Sequence, residues 1–411
     1  MKLLSDQPFW PIQDGLPASY PPLDRNVRTD VVIIGAGITG ALVAWHLANA
    51  GIETVVIDRR EVAHGSTAGS TALLQYEIDL PLYELTKRLG IVRATRAYRE
   101  CLNAIHELAR LVKRLKIDCG FEYKGSLLLA SERSHLTRLR REYDARREAG
   151  FKVAWWTQAD LSRRSSLPQP AAIFSSPREA AHVDAYALTY GLLASAAQQG
   201  VKIYDQTTVV RKQISSRGVE LFTNRGAKIR AKWLVVASGY EADQFLPEPV
   251  TTLHSTFALA SEPLEKLPGW PAGGPVIWET ADPYIYLRTT SDGRIIMGGY
   301  DEPFRDPVRR DRLLPSKAGI LLRRFRQLFP DIPIEVATAW AGTFGKTKDG
   351  LPFIGQHPAV PHTWFALGYG GNGITYSLIA AKLFLERLTT RRRGRDAALY
   401  GFERVPDARP K

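Results

Sequence analysis

Cysteine is almost missing from this chain. Cys101 and Cys119 are all that 411 positions contain, with no CxxC pair and no cluster of cysteine with histidine. That fits a reducing cytoplasm, the expected location, and argues against a structural zinc or iron–sulfur site, so no metal is expected. Also absent is any apolar run of 18 or more residues, so nothing should span a membrane. The opening "MKLLSDQPFWPIQDG" has no long apolar stretch behind its lysine, and no signal peptide is expected there. Repeats with a 20–50-residue period are lacking, and low-complexity sequence is confined to a short basic tail.

Positive charge is plentiful, at a formal +13. Arginines recur in "RREYDARR", "RRDRLL", "LLRRFRQLF" and "RRRGR", spread along the chain and mixed with acids. A nucleic-acid face would be one basic stripe with aromatic or polar readers, so the scattered pattern reads first as solvated surface and no nucleic-acid partner is expected. Acidic ligands or a membrane surface are the other uses of such charge. The length suits two or three domains with a sizeable core, and 45% hydrophobic with 24% charged residues is ordinary for a globular protein.

Residues 1–27, with Pro8, Pro11, Pro17, Pro21 and Pro22, read as an extended wrapping arm. "TDVVIIGAGITGALVAWHLANAGIETVVIDRR" follows as strand, turn, helix and strand. Amphipathic helix is expected over roughly 82–115 and again over 131–150, the second opened by Ser131 as N-cap and closed by Gly150. Strand-like pieces "GSLLLA", "KVAWW" and "AAIFSS" lie around them. "DAYALTYGLLASAAQQG" reads as helix before the strands "VKIYDQTTVVRKQI", "GVELFTN" and "WLVVASG". Residues 251–345 alternate like antiparallel sheet, with a hairpin turning at Asp292–Gly293 and one helix, "SKAGILLRRFRQLF". Strand and helix return in "TWFALGYGGNGITYSLIAAKLFLERL".

Gly35, Gly37 and Gly40 spell GxGxxG between a strand at 31–34 and a helix at 38–50. The first permits a tight turn and the second a close backbone approach to a pyrophosphate. The third lets helix and strand pack, and the helix N-terminus, with Ile38 and Thr39, faces the phosphates. Asp58 ends the next strand, 18 residues after Gly40, where an acid can hold a ribose hydroxyl pair, with Arg59 and Arg60 beside it. The spacing recurs at Gly368, Gly370 and Gly373, but that helix runs into "LTTRRRGRD" without a second strand or terminal acid. It reads as a helix N-terminus aimed at part of the same cofactor, where it could stabilise charge on a flavin edge. "GSTAGSTALLQYEID" (65–79) is a run of tiny residues ending in apolar ones, read as a bed for a large flat cofactor.

These pieces resemble the D-amino-acid-oxidase-like family of FAD-dependent oxidoreductases. "DVVIIGAGITGALVAWHLANAG…VVIDRR…GSTAGST", "VDAYALTYGLLASAAQQGVKIYDQTTV", "WLVVASG" and "AWAGTFGKTKDGLPFIG…WFALGYGGNGITYS" together span most of 28–390. Within the family the chain is similar to the γ-glutamylputrescine oxidoreductase and glycine oxidase branch, on "YPPLDRNVRTDVVIIG", "YLRTTSDGRIIMGG" and "WAG…DGLPFIG". The resemblance implies FAD contacts from Ser66, Thr67, Ser70, Thr71, Ala72 and Leu73. It implies an adenine contact through the backbone of Val209, a returning strand ending at Ser238 and Gly239, and flavin contacts from Gly370, Gly371, Asn372, Gly373, Ile374 and Thr375. Ala68–Gly69 stand where some relatives carry a flavin-attaching histidine, and no cysteine follows Cys119, so the FAD should be non-covalent. Thr375 replaces a carboxylate-holding lysine of the sarcosine-oxidase branch, which makes a simple N-methyl amino acid a poorer candidate.

The implied activity is removal of two electrons from the C–N bond of an amine or amino acid by hydride transfer to flavin N5, giving an imine that hydrolyses. Oxygen or another acceptor would take the electrons. No catalytic base is demanded, so the protein's expected task is orientation and electrostatics. Arg288 matches an arginine in several relatives and could clamp a carboxylate; it could equally be a surface arginine. Tyr284, Tyr286, Tyr300, Trp340, Phe344 and Tyr369 are candidates for an aromatic box or for core. Lys346 and Lys348 flank a turn, and His64 precedes the small-residue loop. His254 and His357 carry no argument.

The expected architecture is mixed α/β. A Rossmann-like FAD domain (28–88, 181–250, 338–411) would interleave with an antiparallel-sheet substrate domain (89–180, 251–337). An NAD(P) dehydrogenase, a tRNA-modifying flavin oxidase and a non-catalytic FAD-binding subunit are the rival readings. The particular substrate, oxidase against dehydrogenase behaviour, and oligomeric state are not legible.

Overall fold

The computed structural model describes residues 1–390 and 395–404. The basic stretch at 391–394, within the expected tail, and residues 405–411 lie outside the described residues.

Two sheets carry the described residues. The eight-stranded one runs Phe353–Gln356, Thr363–Leu367, Lys228–Val236, Val27–Ile34, Thr54–Ile57, Lys202–Tyr204, with the hairpin Val209–Ser215/Gly218–Thr223 on the Lys228–Val236 strand. Its centre is parallel: Ile34 lies opposite Val236 on one side and Ile57 on the other. Strands covered on both faces read as unbroken apolar runs, as "VVII" and "TVVI" do here. The helices Ile38–Asn49, Ala185–Gln198 and Gly373–Thr389 join these strands in one large core.

The ten-stranded sheet is ordered Leu4–Ser5, Val336–Lys346, Thr252–Ser261, Ile295–Glu302, Ile285–Thr289, Val276–Glu279, Glu122–Leu129, Ala171–His182, Leu73–Gln75, with Val153–Thr157 added to Ala171–His182. It is antiparallel except where Val276–Glu279 runs alongside Glu122–Leu129. One face buries Phe257, Leu259 and Met297 against Leu321 and Phe325 of the helix Pro307–Leu328. The strands Leu73–Gln75 and Val336–Lys346 both belong to this sheet, so the chain crosses between layers inside the segments 28–88 and 338–411.

Four local expectations are corrected. The arm is not wholly extended: Phe9–Asp14 is a helix burying Phe9 and Trp10, and Pro11 is tolerated because a first-turn N–H has no helical partner to lose. The helix expected over 82–115 breaks at Gly90 (φ +80°) into Leu82–Leu89 and Ile91–Leu115. Ser131 caps nothing; its N–H donates to Thr280 Oγ1 at 3.1 Å, and the helix is Leu136–Glu148. The helix expected from Ser316 begins at Pro307, where Asp306 Oδ1 accepts from Val308 N (2.8 Å) and Arg309 N (3.3 Å), and it carries Pro315 within it.

Both cysteines are buried. Burial pushes the thiols of Cys101 and Cys119 up to about 12. Since only thiolate reacts, iodoacetamide at pH 8 should label the native protein roughly a thousandfold more slowly than the urea-unfolded chain. Equal rates by mass spectrometry would show that these thiols are accessible.

Candidate functional site

The strand Val27–Ile34 ends at Gly35, whose φ of +111° turns the chain into the helix Ile38–Asn49. Space here is set by backbone. A Cβ on Gly35 would lie 2.4 Å from Ala237 O, one on Gly40 1.8 Å from Gly35 O, and one on Gly37 2.9 Å from Thr67 Oγ1. Thr67 Oγ1 accepts from Ile38 N at 3.0 Å, tying the small-residue loop to the helix start. Thr39 Oγ1 and Ser377 Oγ, 2.7 Å apart, lock this helix beside Gly373–Thr389. Two helix N-termini therefore face one cavity, and the partial positive charge at each suits anionic groups.

That cavity measures about 470 Å³ and runs from Asp58, Val209 and Ser238 at one end to Tyr284, Tyr286 and Asp301 at the other. At the first end Asp58 Oδ2 accepts from Ala36 N (2.7 Å) and Oδ1 from Arg60 N (2.9 Å). Arg59 and Arg60 both contact the Glu241 carboxylate. Ser238 Oγ is buried with no hydrogen-bond partner among the described residues, and such an atom calls for a ligand.

The loop 65–79 forms one long wall. Its carbonyls are claimed from behind. Trp10 Nε1 donates to Ser70 O (2.7 Å), Trp340 Nε1 to Gly69 O (2.9 Å) and Arg288 Nη1 to Ala72 O (3.0 Å) and Val183 O (2.8 Å). Asn372 Nδ2 donates to Gln75 O (3.0 Å) and Glu77 O (2.9 Å). The Asn372 amide fixes the loop against the Gly370–Gly373 turn, so the two glycine-rich segments are built as one wall.

Of the cofactor residues expected from sequence, Gly35, Gly37, Ile38, Thr39, Asp58, Arg59, Arg60, Ser66, Thr67, Ser70, Thr71, Ala72, Leu73, Val209, Ser238, Gly239, Gly370, Gly371, Asn372, Gly373 and Ile374 line the cavity. Gly40 and Thr375 do not. Gly40 packs on the strand turn, and Thr375 Oγ1 donates to Asn372 O at 3.0 Å inside its own helix. Tyr284, Tyr286, Phe344 and Tyr369 also line it, whereas Arg288, Tyr300 and Trp340 are not in its wall. Arg288 is 2% exposed and spent on the two carbonyls above, with Trp10 against its guanidinium. Trp340 supports the loop from beneath, and Tyr300 packs in the core behind the second sheet. Lys346, Lys348, His64, His254 and His357 also lie outside the lining.

Sequence reasoning passed over two acids. Asp79 lines the cavity and accepts from Gly371 N at 3.2 Å to each oxygen. Its side chain is exposed to the cavity, yet the protein crowded around it desolvates the carboxylate and raises its pKa, against the pull of Lys346 and the Gly371 amide. Asp301 Oδ1 is buried without a partner; burial pushes its carboxyl up to about 6, against the Thr256 hydroxyl and Lys346. Around them stand Tyr240, Tyr284, Tyr286 and Phe344. The "YEID" at the loop's end was the one available signal, carboxylates in an otherwise apolar context.

The glycine cradle, paired helix N-termini, Asp58 and the unpartnered Ser238 hydroxyl fit a dinucleotide cofactor such as FAD. The comparisons agree. A family model described as FAD dependent oxidoreductase (DAO) matches residues 30–387. Glycine oxidase from Geobacillus kaustophilus is 27% identical, covering 92% of this chain and 97% of its own. Gamma-glutamylputrescine oxidoreductase from Escherichia coli is 26% identical over 90% of this chain and 86% of its own. The structure of L-proline dehydrogenase from P. horikoshii superposes with a TM-score of 0.77 at 20% identity, covering 93% of this chain and 99% of that one. A match from residue 30 to 387 leaves only the two ends of the sequence outside it: the chain belongs to the DAO family of FAD dependent oxidoreductases, with non-covalently held FAD as its cofactor.

Proposed function

We propose that this enzyme oxidises a C–N bond of an amine, seated by its nitrogen between Asp301 and Asp79. One observation carries the reading: the end of the cavity bearing Asp79, Asp301, Tyr240, Tyr284 and Tyr286 offers carboxylates and aromatic rings. The arginines of the described lining stand elsewhere, at 59, 60, 138 and 146. Carboxylates and tyrosine faces suit an ammonium, whereas a bare α-amino acid would bring its carboxylate to a place without a guanidinium. The two curated relatives above are named for an amino acid and for a putrescine conjugate, so the family background supports either class.

Bound FAD supplies a two-electron acceptor for the carbon next to nitrogen, and oxygen or another acceptor takes the electrons onward. The protein's part is local. The Asp301 carboxylate receives the ammonium proton, which frees the nitrogen lone pair; a carboxyl lifted to about 6 is a better base than an ordinary one. Asp79, held by the Gly371 amide, fixes the nitrogen's second side, and the tyrosines exclude water.

The test is anaerobic bleaching of the FAD-loaded enzyme. Butylamine and 1,4-diaminobutane should bleach it, and glycine, D-alanine and L-proline should do so weakly. Bleaching by the α-amino acids alone would overturn the amine reading. Asp301→Asn should slow bleaching by about a hundredfold. It should also abolish the fall in rate below pH 6, because in the native enzyme the base is lost as Asp301 protonates. A variant that keeps that acid limb would place the base elsewhere.

A further inference from the structure

The same cavity extends beyond the reacting end. A further part is walled by Glu77, Glu84, Arg138, Glu142, Arg146 and Trp278, from the chain just past the loop, the helix Leu136–Glu148 and the sheet. Between this arm and the reacting end, five carboxylates (Glu77, Asp79, Glu84, Glu142 and Asp301) face two guanidinium groups and the Lys346 ammonium, which acts on Asp79 and Asp301 from outside the lining, so acids still outnumber bases by five to three. Glu279, also in the lining, is matched by Arg324 at 2.7 Å. In a chain of formal charge +13, a cavity with surplus negative charge runs against the overall balance.

Neither guanidinium removes the surplus. Arg146 is shared, its Nη1 3.0 Å from Glu77 Oε1 and its Nε 2.7 Å from Glu142 Oε1. Its Nη2 has no partner, but its one charge already answers two acids. Arg138 Nη2 donates to the Thr280 carbonyl and sits 2.8 Å from His135 Nδ1. What stays open is acceptor capacity. Among the described residues Glu77, 4% exposed, has no partner for Oε2, and Asp301 has none for Oδ1 at the other end. Buried carboxylate oxygens without a hydrogen-bond partner are costly, and where acids outnumber cations a cationic ligand relieves that cost. The Trp278 ring adds a face on which an ammonium can rest, while the Tyr83 ring already lies under Lys87 Nζ at 5.6 Å.

We propose that the substrate carries a second ammonium group: an elongated di- or polyamine, held at its reacting end by Asp79 and Asp301 and at its remote end by Glu77, Glu84 and Glu142. This rests on the amine reading of the site and narrows it to a chemical class. The surplus charge also steers such cations inward from solution, an effect that salt weakens.

The test measures binding and turnover separately on the FAD-loaded full-length enzyme. Calorimetry with butylamine, 1,4-diaminobutane, spermidine and 4-aminobutanoate reads affinity, and anaerobic bleaching reads oxidation. The diamine should bind about 10–100-fold more tightly than butylamine, with spermidine at least as tight as the diamine and 4-aminobutanoate no tighter than butylamine. The diamine's advantage should shrink as salt rises. Glu84→Gln, on a half-buried position, should narrow the diamine-to-monoamine ratio by about 5–10-fold. Equal affinity for mono- and diamine, tightest binding by 4-aminobutanoate, or no diamine binding would each overturn the proposal. Tight diamine binding without bleaching would instead keep the arm's assignment and reject amine oxidation. Bleaching by amines without dication preference would do the reverse.

Discussion

Arg146→Met should lower the stability of the protein by roughly 3–5 kcal/mol, the usual penalty for removing one partner of a buried ion pair. Arg146 is 1% exposed and bridges Glu77 and Glu142, themselves 4% and 2% exposed. Burial alone would depress its guanidinium pKa, yet the facing carboxylates hold it well above the ordinary value. Without the arginine, two carboxylates remain in a low-dielectric wall and must take up protons to stay there. The pH dependence then has a definite sign. A carboxyl whose folded pKa is raised favours the folded state at low pH and loses that contribution as pH rises through the folded value. The variant should therefore be closest to the native protein near pH 5 and furthest from it near pH 8. Urea unfolding of the FAD-loaded protein at both pH values measures this. A loss below 1 kcal/mol at pH 8 would mean the triad is better solvated than its burial implies, and adding Glu77→Gln should recover part of the loss.

Gly40→Ala should prevent the nucleotide half from forming in its native geometry, at an expected cost of upwards of roughly 3 kcal/mol, and the purified protein should lose its bound flavin. The added methyl would lie 1.8 Å from Gly35 O, and neither atom can retreat. Gly35 is held by its own N–H to Ile57 O at 2.8 Å, and Gly40 by its place in the first turn of a buried helix. The corresponding third glycine of the second motif supplies the control. A Cβ on Gly373 would meet no protein atom within 4 Å, so Gly373→Ala should leave the stability of the flavin-free fold within about 1 kcal/mol of the native protein's. Thermal unfolding of the two flavin-free variants decides the matter, and similar behaviour would show that strand and helix can separate at Gly40.

The contrast between these glycines shows what the sequence could convey. GxGxxG is readable where backbone geometry demands a missing side chain at fixed spacing, and at Gly35, Gly37 and Gly40 it does. At Gly368, Gly370 and Gly373 the same spacing lacks the strand and acid that complete a dinucleotide unit, which the sequence also displays. Strand alternation identifies a face but not a depth. From the sequence Arg288 is a candidate clamp or a surface arginine and Trp340 a candidate box residue or core; both side chains stop beneath the loop, at Ala72 O and Gly69 O. Asp79 and Asp301 were invisible for a different reason: they are single acids more than 200 residues apart, made neighbours of one cavity by a fold that no local pattern encodes. Ser131 and Pro315 mark the weakness of capping rules where tertiary contacts decide, since Thr280 takes the first and the helix Pro307–Leu328 tolerates the second.

The cavity wall begins at Leu3 and Leu4 and ends at Ser377, gathering pieces from both sheets and from segments far apart in the chain. No contiguous fragment of the chain contains more than a few sides of it. Cofactor and polypeptide are therefore linked in the thermodynamic sense: flavin binds the assembled chain and scarcely recognises its parts. At a free concentration one hundred times the dissociation constant, such a ligand adds about 2.7 kcal/mol to the folded state. That is a sizeable share of the 5–15 kcal/mol on which an ordinary domain depends. A cell short of flavin would accumulate the same chain in a weaker form, so cofactor supply sets its standing abundance as well as its chemistry.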